Sequence, residues 1–496
     1  MPEPPRYRFG PLERRGVIAG WRGGQIAVVA CGLVVAVLVL RERPDVLGAV
    51  LALASVGSTV GVACWPLGGR SGEEWLPTVV RWGADGVAGR VKRSEAPGCG
   101  HCRGANGHVG TARGAAPAAR GPFAGLEVLS GRRESNGSAG PDLGVVHDAR
   151  AGTLTATLAL RGHSFALLGS DEKQRRVSAW AGVLAALARE GSIVHRIQWL
   201  AVALPDDGHA VRAYFDDRAA KDEPSATQAS YGALLDELGA QTSRHAVYLA
   251  VQVRSRRGPL SSGVALLGRE IDNLCRLLSE ADVVCSGPLT VSELAAVVRA
   301  TGQGGPPSRL EDKLVGGGRG CPPCLVGAPW PMAVEAQWSM VRTDATWHAT
   351  YWISEWPRVE VGPDFLAPVL LGPLRRSVSV VMQPVSPTKA IRAVEAARTA
   401  DLADSELRRR GGFIATARRD REAELVLRRE RELADGHGSF RFSGYVTVTA
   451  TDPTRLEEWC EATEHAAGQA RLELRRLYGD QARALLCTLP LCRGLS

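Results

Sequence analysis

The stretch GTLTATLALRGHSFALLGSDEKQRRVSAWAGVLAALAREGSIVHRIQWLAVAL, residues 152–204, decides the fold. GTLTATLAL (152–160) alternates apolar and polar residues with period two, the pattern of a half-buried strand. SDEKQRRVSAWAGVLAALAREG then reads as a helix, opened by Ser170 and Asp171 and stopped by Gly191. SIVHRIQWLAVAL (192–204) returns to strand. A polar stretch and a helix near 225–239 follow, then a strand HAVYLAVQV (245–253), a helix GVALLGREIDNLCRLLSEA (263–281) and a short strand DVVCSG (282–287). The order βαββαβ is that of the ferredoxin-like split βαβ unit. With a further helix at 292–302, residues 144–302 are predicted to form a first α+β domain.

Beyond a Gly/Pro-rich break at 303–329 the order partly repeats. TWHATYWISEW (346–356) is a strand, PDFLAPVLL (363–371) a short helix and RRSVSVVMQPVS (375–386) an alternating strand. A charged helical insertion covers 387–435, with a bend expected at Gly411–Gly412. Unbroken, that insertion would reach ~70 Å at ~1.5 Å per residue. RFSGYVTVTATDP (441–453) is a strand, 454–479 a helix, and a helix at 480–486 precedes an extended LPL. Residues 330–496 are the second ferredoxin-like α+β domain, with Trp330, Trp338, Trp347, Trp352 and Trp356 as its packing core. Along the insertion, Arg and acid nearly balance, and pairs such as Glu424–Arg428 stand four apart, which describes a solvated helix rather than a DNA-binding one.

Working towards the N-terminus, 94–143 is rich in Gly, Ala, Pro and Arg and reads mostly as a flexible linker, although FAGLEVLS (123–130) could add a strand. Residues 71–93 read as a juxtamembrane helix, with Ser71 and Glu74 as capping box and Trp75, Leu76, Val79 and Val80 as apolar face. Ahead of it, two uncharged runs, 23–40 and 46–69, flank RERPD (41–45). Each is long enough to span a bilayer, as helices at about 23–40 and 46–67. The outer flanks carry more Arg and Lys than RERPD, so both termini are expected in the cytoplasm of a plasma-membrane protein. Gly48, Ala49, Ala52, Ala54, Gly57, Ser58 and Gly61 are expected to allow close helix packing. Residues 1–93 thus form a two-helix transmembrane hairpin with its juxtamembrane helix.

Composition narrows the function. The formal charge is +8, spread along the chain, and only five residues are Lys. None of the five follows a Gly, so the phosphate-cradling G-x-x-x-x-G-K-[ST] loop is absent. G-x-S-x-G, H-E-x-x-H and EF-hand patterns are absent too. Of eleven Cys, two CxxC pairs stand out, CGHC at Cys99 and Cys102 and CPPC at Cys321 and Cys324. They could be redox pairs or halves of a zinc site, but they lie in linkers and read as incidental. Asp206–Asp207 and Asp216–Asp217 read as exposed loop acids rather than metal ligands, and His163, His195, His245 and His348 as surface residues beside strands. No catalytic residue, cofactor or metal is expected, nor direct nucleic-acid binding.

RYRFGPLERRGVIAGWRGGQ, the hairpin and GRSGEEWLP resemble a family of actinobacterial membrane proteins found with conjugation-type secretion genes. RGHSFALLGSDEKQRRVSAWAGVLAALAREG, RTDATWHATYWISEWPRVEVGPDFLAPVLL, ARTADLADSELRRR and RFSGYVTVTATDP carry the same resemblance. The hairpin is similar to the PrgI-like small membrane subunit of type IV secretion systems. The segment from about 346 resembles the N-terminal, non-catalytic part of the conjugative type IV ATPase, without its Walker domain. The resemblance implies a non-enzymatic inner-membrane component that oligomerises and docks a separate Walker-motif ATPase beside a polytopic channel subunit. A type VII secretion component of the same topology, or a membrane-tethered enzyme using Asp206 and Asp207 or the CxxC pairs, are the alternatives.

Overall fold

The computed structural model describes residues 23–64, 66–67, 70–87, 94–95, 121–131, 134–135, 138–139, 142–161, 168–205, 209–218, 226–239, 243–255, 258–302, 329–410 and 417–495. The chain is a mixed α+β protein dominated by one antiparallel sheet, with an apolar helix near its N-terminus. It divides into two compact units, one of Pro11–Lys92 and one built on Arg93–Ser496.

In the smaller unit, α1 (Gly23–Glu42) and α2 (Val46–Cys64) are joined by Arg43–Asp45. Asp45 turns the chain and starts α2, its Oδ1 accepting from the Gly48 amide at 2.8 Å. Gln25 at the start of α1 donates to the Ala63 carbonyl at the end of α2 (2.9 Å), so the helices run antiparallel. Helix α2 ends at Cys64, short of the expected 67, because Pro66 has no amide hydrogen to continue it. The close approach is made by Gly32, where an added Cβ would collide with the Thr59 side chain. Ala36, Ala52 and Ala63 are also buried, whereas Gly57 and Gly61 face open space, so they are not the packing glycines. Helix α3 covers Gly72–Val87 of the expected 71–93; residues 88–93 and the side chains of Ser71 and Glu74 lie outside the described set.

In the larger unit the sheet strands are β1 (Ser94–Glu95), β2 (Leu126–Gly131), β3 (Leu143–Asp148), β4 (Thr153–Arg161), β5 (Val194–Pro205), β6 (Ser243–Arg254) and β7 (Val284–Pro288). Then come β8 (Ala333–Ala336), β9 (Val341–Thr343), β10 (Thr346–Glu355), β11 (Arg376–Val385), β12 (Ser439–Ala450) and β13 (Glu473–Arg476). The order is β1-β8-β9-β10-β12-β11-β5-β6-β4-β3-β2, with β7 on β4 and β13 on β10. The 94–143 stretch is therefore not all linker: β2 pairs with β3 from Leu126↔Asp148 to Gly131↔Leu143.

The sheet has two similarly wired halves. The first runs β7-β4-β6-β5 across the sheet and the second β13-β10-β12-β11. Each is preceded by a hairpin, β2-β3 or β8-β9, that shares the outer edge of its first strand with the last one. They meet at β5 and β11, paired antiparallel from Arg376↔Ala203 to Met382↔Ile197.

Among the described residues the helices of the larger unit are α4 (Ser170–Leu187), α5 (His209–Arg218), α6 (Ala226–Gly239), α7 (Leu260–Glu280), α8 (Val291–Gly302), α9 (Ala367–Leu370), α10 (Pro387–Arg410), α11 (Ala417–Ala434), α12 (Pro453–Gln469) and α13 (Gln481–Ala484). On α7 the fully buried Leu267, Ile271, Leu274 and Leu278 recur at spacings of 4, 3 and 4, one helical stripe. Burial of each such side chain contributes about 2 kcal/mol. Helix α12 repeats that spacing with Leu456, Cys460, Thr463 and Ala467. Asp452 caps it, its Oδ1 accepting from the Arg455 amide at 2.8 Å. The helix stops at Gln469 rather than near 479; Arg471 turns left-handed (φ 56°), and ELRR continues as β13.

The charged insertion holds two helices, α10 and α11, and Arg398 on the first binds both carboxylate oxygens of Glu430 on the second at 3.0 Å; the expected bend at Gly411–Gly412 lies outside the described residues. One further expectation changes. The Trp residues do not form one core. Trp330 packs on Phe123 with rings 5.8 Å apart, Trp347 and Trp356 pack against the cluster of Tyr351, Val446 and Leu456, Trp352 donates to Ser443 Oγ, and Trp338 is exposed.

Candidate functional site

The densest polar arrangement among the described residues lies on one face of the sheet, where the two halves meet. Alternation along β5 explains it. Ile197 and Trp199 face the side covered by α4, α7, α9 and α12, while Arg196, Gln198 and Leu200 face the other. On that other face the chain's last residues lie as a strap. Leu485, Leu486, Leu489 and Leu491 pack into the apolar cluster with Leu200, Val202, Leu204 and the α8 residues Leu294, Val297 and Val298.

Gln198 is fully buried and reads the strap's backbone. Its Nε2 donates to Ser379 Oγ at 2.8 Å and to the carbonyls of Leu489 (2.9 Å) and Cys487 (3.0 Å). Its Oε1 accepts from the amides of Cys492 (2.7 Å) and Leu491 (3.0 Å). Gln252 donates to Thr155 Oγ1 at 3.2 Å and to the Leu491 carbonyl at 3.1 Å. Arg196 donates to the carbonyls of Leu495 (2.6 Å) and Cys492 (3.3 Å), and Tyr445 donates to that of Gly494. Arg493 ends the strap in an ion pair with the nearly buried Asp148. An extended segment carrying Pro490 has no ladder partner, so side-chain amides and a guanidinium satisfy its backbone instead.

Across the second half the same face continues as Thr and Ser hydroxyls. Thr350 and Thr447 are 2.8 Å apart, Thr447 and Thr488 2.7 Å, and Gln481 accepts from the Thr350 amide at 2.8 Å. At its end His348 is fully buried, not at the surface as expected. Its Nε2 lies 2.6 Å from Thr343 Oγ1, which itself donates to the Gly302 carbonyl, and its Nδ1 lies 2.9 Å from Thr449 Oγ1. Because the Thr343 proton is committed to Gly302, Nε2 carries the imidazole proton and Nδ1 accepts from Thr449. Burial lowers its pKa to about 3, helped by Arg375, so it stays neutral.

The remaining expected positions are dispersed. His195 is half-buried, with its pKa lowered to about 4 by burial and then by Arg254 and Arg196. His245 is lowered by burial and then by Arg376, and its Nε2 meets Ser243 Oγ at 3.0 Å. Asp216 and Asp217 are exposed on α5, on a helix rather than a loop, with Asp216 3.6 Å from Arg212. Arg428 pairs with Glu432 at 2.9 Å. Cys99, Cys102, Cys321, Cys324, His163, Asp206 and Asp207 lie outside the described residues. Among the described residues no group of three or more His, Cys, Asp or Glu could hold a metal. A cavity of about 230 Å³ lies between Glu360, Phe365, Gln469 and Arg471. It brings no nucleophile and base together.

Gln198 and Gln252 escaped the sequence reading. The available signal was a Gln inside a strand that is apolar on both faces: Gln198 shares its face with Leu200, Val202 and Leu204, and Gln252 stands between Val251 and Val253.

No protein-family model matches the chain, and no curated protein does.

Proposed function

We propose that this protein is a non-catalytic, membrane-anchored component of a type IV-like conjugation or secretion apparatus, which holds a separately encoded ATPase at the plasma membrane. The observation that carries the membrane anchor is the inverted surface of α1 and α2. Their small residues Gly32, Ala36, Ala52 and Ala63 face inward, while Leu33, Val34, Val37, Leu38, Val46, Leu47, Val50, Leu51 and Leu53 face outward. In water that would be an apolar patch far beyond what soluble monomers carry; in lipid it is the expected arrangement. Gly24–Glu42 is the one helix among the described residues long and apolar enough to cross a bilayer, and Val46–Gly61 is a shorter apolar helix. On this reading the pair is a transmembrane hairpin with both termini cytoplasmic, since the basic residues flank it on the outer sides.

The strand order supports a ferredoxin-like reading of each half: in each, the fourth strand lies beside the first, then the third, then the second. The second half, with its long charged insertion, is the part whose sequence resembles the non-catalytic region of a conjugative ATPase. The absent phosphate-binding loop fits a partner that supplies the motor from another chain. The test is affinity purification of the tagged protein from detergent-solubilised native membranes. Recovery of a Walker-motif ATPase together with a polytopic channel subunit is the expected result. Recovery of type VII core subunits without such an ATPase would overturn the assignment and leave the membrane anchor standing.

A further inference from the structure

The connection from α7 to β7 holds two cysteines that the proposed docking role does not use. Cys275 sits on the last turns of α7 and Cys285 on β7, ten residues apart in sequence, and their sulfurs lie 3.7 Å apart. Both are half-buried, at the edge of the apolar cluster of α7 and β4. The turn between them is tightly set. The Ala281 amide bonds the carbonyls of Leu277 and Leu278, Asp282 adopts φ 55°, and the Val283 amide returns to the Leu278 carbonyl at 2.9 Å. Arg176 of α4 holds Asp282 at 3.0 Å. The two sulfurs therefore face each other across a turn whose backbone is fixed on both sides.

We propose that Cys275 and Cys285 are a thiol pair that closes to an intramolecular disulfide by exchange with a low-molecular-weight disulfide, locking β7 onto α7. One cysteine thiolate attacks a sulfur of the small disulfide, forming a mixed disulfide and releasing one small thiol. The second cysteine thiolate then attacks the protein sulfur of that mixed disulfide and releases the second small thiol. Two protein thiols are oxidised, one small disulfide is reduced to two thiols, and the two thiol protons pass to the released thiolates. The contact already lies within reach of the sulfur-to-sulfur bond by side-chain rotation, and closing so short a loop favours exchange over a lasting adduct.

The bond would fasten a strand that needs fastening. Among the described residues strand β7 pairs with the end of β4 alone, and its register shifts between Cys285 and Pro288. Val284 beside the pair is exposed. Among the described cysteines, Cys460, Cys487 and Cys492 are buried, with thiols pushed up by burial, which leaves them poor competitors for exchange.

The experiment uses the detergent-solubilised full-length chain and oxidised glutathione. After quenching with an alkylating reagent, peptides are mapped by mass spectrometry without reduction. The expected product is a peptide pair linked through Cys275 and Cys285, with no lasting glutathione on either. In Cys275→Ser, Cys285 retains one glutathione. The oxidised wild type melts a few degrees higher than the reduced form, reversed by dithiothreitol and absent in Cys275→Ser. Glutathione adducts accumulating on wild-type Cys275 or Cys285, or either cysteine linked elsewhere, would overturn the proposal.

Discussion

At the scale of single residues, the buried polar groups separate structural from chemical roles. His348 is the clearest case. Above pH 6.5 the imidazole is neutral in both the folded and the unfolded chain, and its hydrogen bonds contribute fully. Between pH 6.5 and about 3 the unfolded chain takes up a proton that the folded one refuses, so stability falls as pH falls. The slope from this one residue is roughly 1.4 kcal/mol per pH unit. Denaturant titrations at a series of pH values measure that slope, and His348→Asn is expected to be less stable at neutral pH but to lack it. Gln198 gives a second expectation. Gln198→Leu keeps the volume but leaves the Cys492 amide and the Cys487 carbonyl without a partner, and the Leu491 amide and the Leu489 carbonyl with only each other. The loss is on the order of 3–5 kcal/mol. A melting curve measures it, and proteolysis near residue 485 should speed up in step with it.

At the scale of elements, packing geometry and not charge decides which contacts matter. In Gly32→Leu the new side chain meets Thr59 where a Cβ alone already collides with the hydroxyl. Helices α1 and α2 must then separate, at a cost of about 1–3 kcal/mol. With Gln25→Cys and Ala63→Cys as reporters, the cross-link between the helices is expected to form in the parent and to fall sharply in Gly32→Leu. The Arg398–Glu430 pair points the other way. Both side chains are about half exposed. Arg398→Ala should therefore lower stability by no more than about 1 kcal/mol, less at high salt. A loss well above that in a denaturant titration would mean that the α10–α11 fold depends on this one pair.

At the scale of the whole molecule, the two halves are fused along β5 and β11. Trp199 of the first half packs into the core of the second, and Met382 and Phe440 of the second pack into the core of the first. The strap crosses the same seam, bonded to Gln198, Gln252 and Tyr445. The larger unit is therefore expected to unfold in one transition, reported alike by Trp fluorescence and by far-ultraviolet circular dichroism. Two separated transitions would show that the seam is weaker than its contacts.

The sequence by itself determined what local patterns carry. Period-two alternation marked β4 and β11, start and stop residues marked α4, and charge-free length marked α1 and α2. The missing phosphate loop was equally legible, because that motif is contiguous. Tertiary structure alone decided what depends on distant partners. The fold-back of α11 on α10 brings together Arg398 and Glu430, 32 residues apart, and Gln198 meets its strap partners across almost 300 residues. Strand β13 was hidden inside an apparent helix because four residues are too few to show a period, and only the open edge of β10 makes them a strand. His348 looks like any strand histidine in the sequence; its neutrality comes from a pocket built by Thr343, Thr346, Thr449 and the end of α8. Local propensity acts over a few residues, whereas burial and hydrogen-bond satisfaction are settled only when remote segments meet.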